Sequence, residues 1–150
     1  MNIQEVLKSK GNISIQKKVV LSIMYAQLNV MEKLCDVFKP YDLSAEQFNV
    51  LRILRGQYPN SAPMSLVQER MLTKNSNTTR LIDKLLLKDL VTRKTNPENR
   101  CIILVAITEK GLRLLEQIDP EVDRRENLIS KNLTVEELEQ LNLLLEKLRD

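Results

Sequence analysis

Histidine and tryptophan are absent from this chain, and only 3% of its 150 residues are aromatic. Without histidine, the usual zinc constellations and the His-dependent triads and dyads are excluded. So few aromatic rings argue against a stacking platform of the kind that single-stranded RNA binders use. The two cysteines, Cys35 and Cys101, lie far apart and form no CxxC pair, so inert, partly buried thiols are expected. Carboxylates show no metal-site clustering and there is no Gly-rich phosphate loop, which leaves no catalytic constellation and no implied cofactor. Gly (3) and Pro (5) are scarce, which favours helices over a turn-rich sandwich or barrel. No stretch approaches the ~20 apolar residues that span a bilayer. The opening MNIQEVLKSKGNIS lacks the apolar run of a secretory leader. The expectation is a soluble, cytoplasmic protein with no membrane partner. The longest apolar run, CIILVAI (Cys101 to Ile107), suits a buried strand.

What is present fits one domain with a sizeable core: 43% hydrophobic and 29% charged residues. The net charge of +3 is unevenly spread. Residues 74–101 hold seven basic and three acidic side chains, or +4, whereas 109–150 hold seven basic and eleven acidic, or −4. A basic middle joined to an acidic end suits a polyanion-binding face in the middle, though two unrelated solvated faces would give the same sums.

Apolar spacing from Ile15 to Phe38 predicts one long helix ended by Pro40, with an apolar face wide enough for more than one neighbour. Ser44 to Gln47 reads as a capping box that opens a helix through FNVLRIL. Gly56 to Pro63 marks a break. A second box, Ser65 to Gln68, is expected to open a short helix through about Leu72. A further helix is expected over roughly Asn75–Lys88, stopped at Asp89, a residue that tolerates the left-handed conformation. Then the period changes: LVTRKT, NPENR and CIILVAIT read as strand, turn and strand. Thr108 is a plausible N-cap for a helix that Pro120 is expected to kink or interrupt, and Thr134 to Glu137 is a third capping box before a final Leu-striped helix.

Within this order, KNSNTTRLIDKL (Lys74 to Leu85) has six polar residues in front of an amphipathic helix. At ~100° per residue, Thr78, Leu81, Ile82 and Leu85 fall inward, and Ser76, Asn77, Thr79, Arg80 and Lys84 fall outward. Ser, Asn and Thr favour helix starts, and their short polar side chains also bond bases and phosphates. Two short helices at this spacing are helix-turn-helix spaced, an arrangement whose second helix enters the DNA major groove N-terminus first. Arg80 suits a bidentate base or phosphate contact, Asn77 an adenine edge, and Ser76 and Thr79 phosphate. A merely solvated polar cap explains this helix alone equally well. The basic hairpin behind it, Arg93 to Arg100, tips the weighing, because it is placed as the wing of a winged helix.

These residues resemble the MarR family of winged-helix transcriptional regulators. The match runs without gaps from Leu66 to Gly111, SAEQFNVLRIL matches the preceding helix, and TRLIDKL…LV…R…NPENR…L…ITEKG is fairly specific as a set. The resemblance implies a mainly α fold with a small β-ribbon: a winged helix-turn-helix lobe over about 43–108, and N- and C-terminal helices, about 1–42 and 109–150, forming a dimerisation domain. It implies a homodimer on a pseudopalindromic operator in double-stranded DNA, and regulation, chiefly repression, relieved by a small apolar or phenolic effector or an oxidant. Carried over by position, Ser76, Asn77, Thr79 and Arg80 fall on the family's recognition-helix contacts and Arg100 at its wing tip; with Lys74 and Asn75 of the polar run, Lys84 of the outward face and Arg93 of the basic hairpin, they make up the expected DNA-binding set. Where the family's wing usually has Asp, any residue, then Arg, this chain has Asn99, Arg100 and Cys101, and Asp89 replaces the usual Gly. Leu86 and Leu87 replace common charges and are expected to pack on the dimer helices. Met24, Met31 and Phe48 are candidates to line an effector cleft, each also readable as ordinary core. The competing function is a helical interaction or scaffold protein that never meets DNA.

Overall fold

The computed structural model describes residues 1–74 and 76–150. In chain order it contains α1 (Ile3–Val6), α2 (Ile15–Phe38), a 3-10 turn (Lys39–Tyr41), α3 (Ala45–Gln57) and β1 (Ala62–Pro63). There follow α4 (Met64–Arg70), α5 (Thr78–Leu87), β2 (Val91–Thr95), β3 (Ile103–Ile107), α6 (Glu109–Ser130) and α7 (Val135–Arg149).

Local chemistry sets most of these boundaries. Ser44 Oγ accepts from Gln47 N–H at 3.1 Å while Gln47 Oε1 accepts from Ser44 N–H at 3.0 Å, closing the expected box. The Thr134–Glu137 box also forms, and Thr108 caps α6 by accepting from Gly111 N–H. Asp89 ends the α5 corner at φ 57°, the left-handed conformation expected of it. Pro40 enters the 3-10 turn just after α2.

Other expectations need correction. The Ser65–Gln68 box does not form: α4 is capped at Pro63, two residues before Ser65, and runs from Met64 to Arg70. Pro63 has fixed φ and no capping oxygen, so its ring alone sets the start. Helix α5 begins at Thr78 because Asn77 caps it, which leaves most of the polar run in the turn. Pro120 does not interrupt α6, which runs unbroken to Ser130. Pro120 is exposed there, so water can satisfy the one carbonyl that loses its partner. The ribbon has a third strand, since β1 pairs antiparallel with β3 (Ala62 opposite Val105), giving sheet order β1-β3-β2. Of the run Cys101 to Ile107, only Val105 and Ile107 are buried, and Cys101 is exposed rather than partly buried. Leu87 is 86% exposed, whereas Leu86 packs on the core's edge.

The core joins the two regions. Leu51, Leu54, Val67, Met71, Ile82, Leu85 and Val105 fill the lobe, and Leu115 and Ile118 of α6 reach into the same cluster beside Val37 and Phe38 of α2. Helices α2 and α6 pack along one another, and both touch α3. Arg55 of α3 reinforces that joint with a two-pronged contact to Asp119 of α6, at 2.5 and 3.4 Å.

Candidate nucleic-acid interface

Helix α5 is anchored by its inward face. Thr78, Ile82 and Leu85 are buried and Leu81 is half-buried, as the periodicity requires. Opposite them, Thr79, Arg80 and Lys84 are exposed. Asn77 is exposed as well, but its Oδ1 accepts from Arg80 N–H at 3.1 Å. That cap engages one of the two lone pairs of Oδ1 and fixes how the amide is turned, so an adenine contact from Asn77 has to share the oxygen with the cap. Ser76 is half-buried and its N–H donates to Thr73 O at 3.2 Å. Thr79 Oγ1 donates weakly to Met64 Sδ at 3.6 Å, a contact that water or phosphate readily replaces. Lys74 is exposed in the turn and its ammonium donates to Glu69 O. Asn75 lies outside the described residues.

Ser76, Asn77, Arg80 and Lys84 line one open depression of about 360 Å³, with Glu46 of α3 at its side. Lys84 also lines the neighbouring hollow of about 490 Å³, which Lys39 and Lys88 share with Asp42. At that rim Lys39 donates to Asp36 at 2.8 Å. Their hydrogen bond and charges hold the Asp36 carboxyl below its usual range and raise the Lys39 ammonium. Lys88 is tied to Asp42 at 3.3 Å. The cations around the outward face of α5 are therefore unequal: among the described residues Arg80 and Lys84 have no acidic partner, whereas Lys88 has one.

The wing carries the second group. β2 and β3 pair in register from Val91–Ile107 to Thr95–Ile103. Asn96 N–H closes the tip onto Ile102 O at 2.9 Å. Asn96 and Asn99 each turn their side-chain oxygen back onto the N–H two residues on, at Glu98 (2.9 Å) and Cys101 (3.0 Å). Asn99, standing at the family's acidic position, thus shapes the loop through its own backbone. Arg100 is exposed at the tip, free of a carboxylate among the described residues. Arg93 is not free: Arg93 Nη1 lies 2.6 Å from Asp83 Oδ1 of α5. Sequence reasoning missed this pair because Asp83 entered it only as a charge in the sum over residues 74–101, and no local spacing links it to Arg93.

Behind the turn between α4 and α5 is a small apolar cleft of about 140 Å³, lined by Met31, Leu34, Phe38, Phe48 and Val122. The Phe38 and Phe48 rings stack at 4.5 Å, and the Arg52 guanidinium lies 5.9 Å from the Phe48 centroid. The structure therefore brings Met31 and Phe48 together as expected, but Met24 is 58% exposed elsewhere on α2. Asn49, Leu72 and Thr73 also line it, together with Ala45 and the charged Glu46, Arg52 and Glu126, and nothing in the sequence marked them for this cleft.

A short helix, a turn, a polar-fronted second helix and a basic antiparallel wing define a winged helix-turn-helix protein. The MarR family model matches residues 43–102. Over 112 residues the chain is 34% identical to the multiple antibiotic resistance protein MarR of Salmonella typhimurium, covering 73% of this chain and 75% of that protein. It is 28% identical over 134 residues to the HTH-type transcriptional regulator MhqR of Bacillus subtilis, covering 89% and 90%. A crystal structure of mutant MarR from E. coli complexed with operator DNA matches at TM-score 0.79 and 26% identity, over 91% of this chain and 99% of that one. The chain belongs to the MarR family of winged-helix transcriptional regulators.

Proposed function

We propose that the protein is a homodimeric, sequence-specific regulator that binds a pseudopalindromic operator in double-stranded DNA and represses until a small apolar or phenolic effector is bound. The carrying observation is the division of α5: a buried face that fixes the helix, and an outward face of Asn77, Thr79, Arg80 and Lys84 at its N-terminal turns. Backbone amides at that end add partial positive charge toward phosphate. Ser76 and Lys74 sit in the turn before it, and Arg100 at the wing tip supplies the second contact, with Arg93 behind it.

Residues about 43–108 act as the DNA-binding lobe, and about 1–42 and 109–150 as the dimerisation helices. Their surface supports this division. Ile15, Val20, Met24 and Leu28 of α2 are largely exposed, as are Val135, Leu143, Leu144 and Leu148 of α7. A fifteen-residue helix with every residue but Leu138 exposed gains little stability from its own chain. Pairing with a second copy would bury those stripes and give the two-fold symmetry of a palindromic site. The cleft of Met31, Leu34, Phe38, Phe48 and Val122 is the effector site in this reading.

Selecting bound sequences from random duplex DNA is the direct test. The expected result is an inverted repeat whose affinity falls steeply with salt. A chain with no salt-sensitive duplex affinity would instead be the helical scaffold that its exposed apolar helices also permit.

A further inference from the structure

The turn between α4 and α5 sets where the recognition helix begins, and among its described residues one bond ties it to α3. At one end Met71 is buried and its N–H donates to Val67 O at 3.1 Å. At the other end Asn77 caps α5. Between them, the Leu72 side chain is 85% exposed. Its backbone N–H, however, donates to Asn49 Oδ1 at 3.0 Å, across 23 residues of sequence. Asn49 is half-buried on α3, next to Phe48, so its own position is set by the core.

We propose that Asn49 is a positioning residue for DNA recognition: by holding the Leu72 amide it fixes the turn, and with it the start of α5, relative to α3. The inference rests on α5 being the recognition helix. Base contacts depend on donor–acceptor distances within a few tenths of an ångström, so a small drift of the turn degrades them all together. Phosphate contacts from flexible cations tolerate the same drift. Asn49 therefore acts on specific binding and leaves non-specific binding alone.

The test uses the full-length protein, the duplex that the wild type selects from random DNA, and a scrambled duplex of equal length. Asn49→Ala should weaken binding to the selected duplex about 2- to 12-fold, the equivalent of one neutral hydrogen bond. Affinity for the scrambled duplex and the salt slope should stay unchanged. Leu72 amide exchange, read by NMR, should accelerate. Asn49→Asp keeps an acceptor in place, so it should restore amide protection and, at high salt where its charge is screened, most of the affinity. Unchanged affinity for the selected duplex despite faster Leu72 exchange would overturn the proposal. So would an equal loss on both duplexes, which marks general loosening. A wild type that selects no duplex overturns the DNA-binding function itself, and is seen before any variant is made.

Discussion

Arg93 on the wing strand β2 and Asp83 on α5 form an ion pair at 2.6 Å, so the wing and α5 are strapped together by side chains. Both partners are partly exposed, at 39% and 52%, so the pair adds only a few tenths to about 1 kcal/mol. Its larger effect is on charge: Asp83 compensates the Arg93 guanidinium before DNA arrives.

Arg80 and Arg93 should consequently behave differently toward DNA. Arg80→Ala is expected to weaken binding by ~1–3 kcal/mol, relax base preference and lower the salt slope by about 1. Arg93→Ala should change the slope much less. Fluorescence titrations of the selected duplex over a salt series measure both, and equal slope changes would refute the distinction.

Gly111 is fixed by a close approach rather than by turn geometry. A Cβ there would lie 2.5 Å from Leu90 O and 2.7 Å from Ile107 Cγ1. Neither the backbone carbonyl nor the buried Ile107 yields easily, so Gly111→Ala should destabilise by ~1–3 kcal/mol or more. For a chain of this size that is a fall in Tm of about 2–4 °C per kcal/mol, readable by calorimetry.

Thr78 presents the opposite case. It is 4% exposed and its hydroxyl has no hydrogen-bond partner among the described residues. Leaving such a group unpaired costs about 1–3 kcal/mol. Thr78→Val keeps the shape and removes the oxygen, so Tm should rise by a few degrees with operator affinity intact, because Thr78 faces inward. A lower Tm in thermal melts would mean that the hydroxyl is satisfied.

The paired charges Leu141→Glu and Leu145→Glu place carboxylates on the apolar stripe of α7, where both leucines are now exposed, at 44% and 37%. A monomer would lose almost nothing by this. A dimer joined through that stripe should dissociate, seen by sedimentation velocity, and operator affinity should fall by about 100-fold or more as two linked half-sites become one. An unchanged dimer would move the interface elsewhere.

Much of this was legible in local pattern. The boxes at Ser44 and Thr134, the Thr108 cap, the left-handed Asp89 and the inward face of α5 all follow from side chains within four residues of one another. The failures have a common cause. Ser65 had the right spacing for a cap, but Pro63 had already set the helix start, and Pro120 was tolerated because it faces water.

The sequence by itself therefore determined the order of the long helices and the two ribbon strands, which face of α5 turns inward, and the family. Those properties arise from periodicity and from hydrogen bonds that close within one turn. Tertiary structure alone decided that β1 joins the wing, that Arg93 is neutralised by Asp83, and that Asn49 holds Leu72. These are contacts between groups 10 to more than 40 residues apart. Their distances are fixed by how the core packs, which no local pattern encodes.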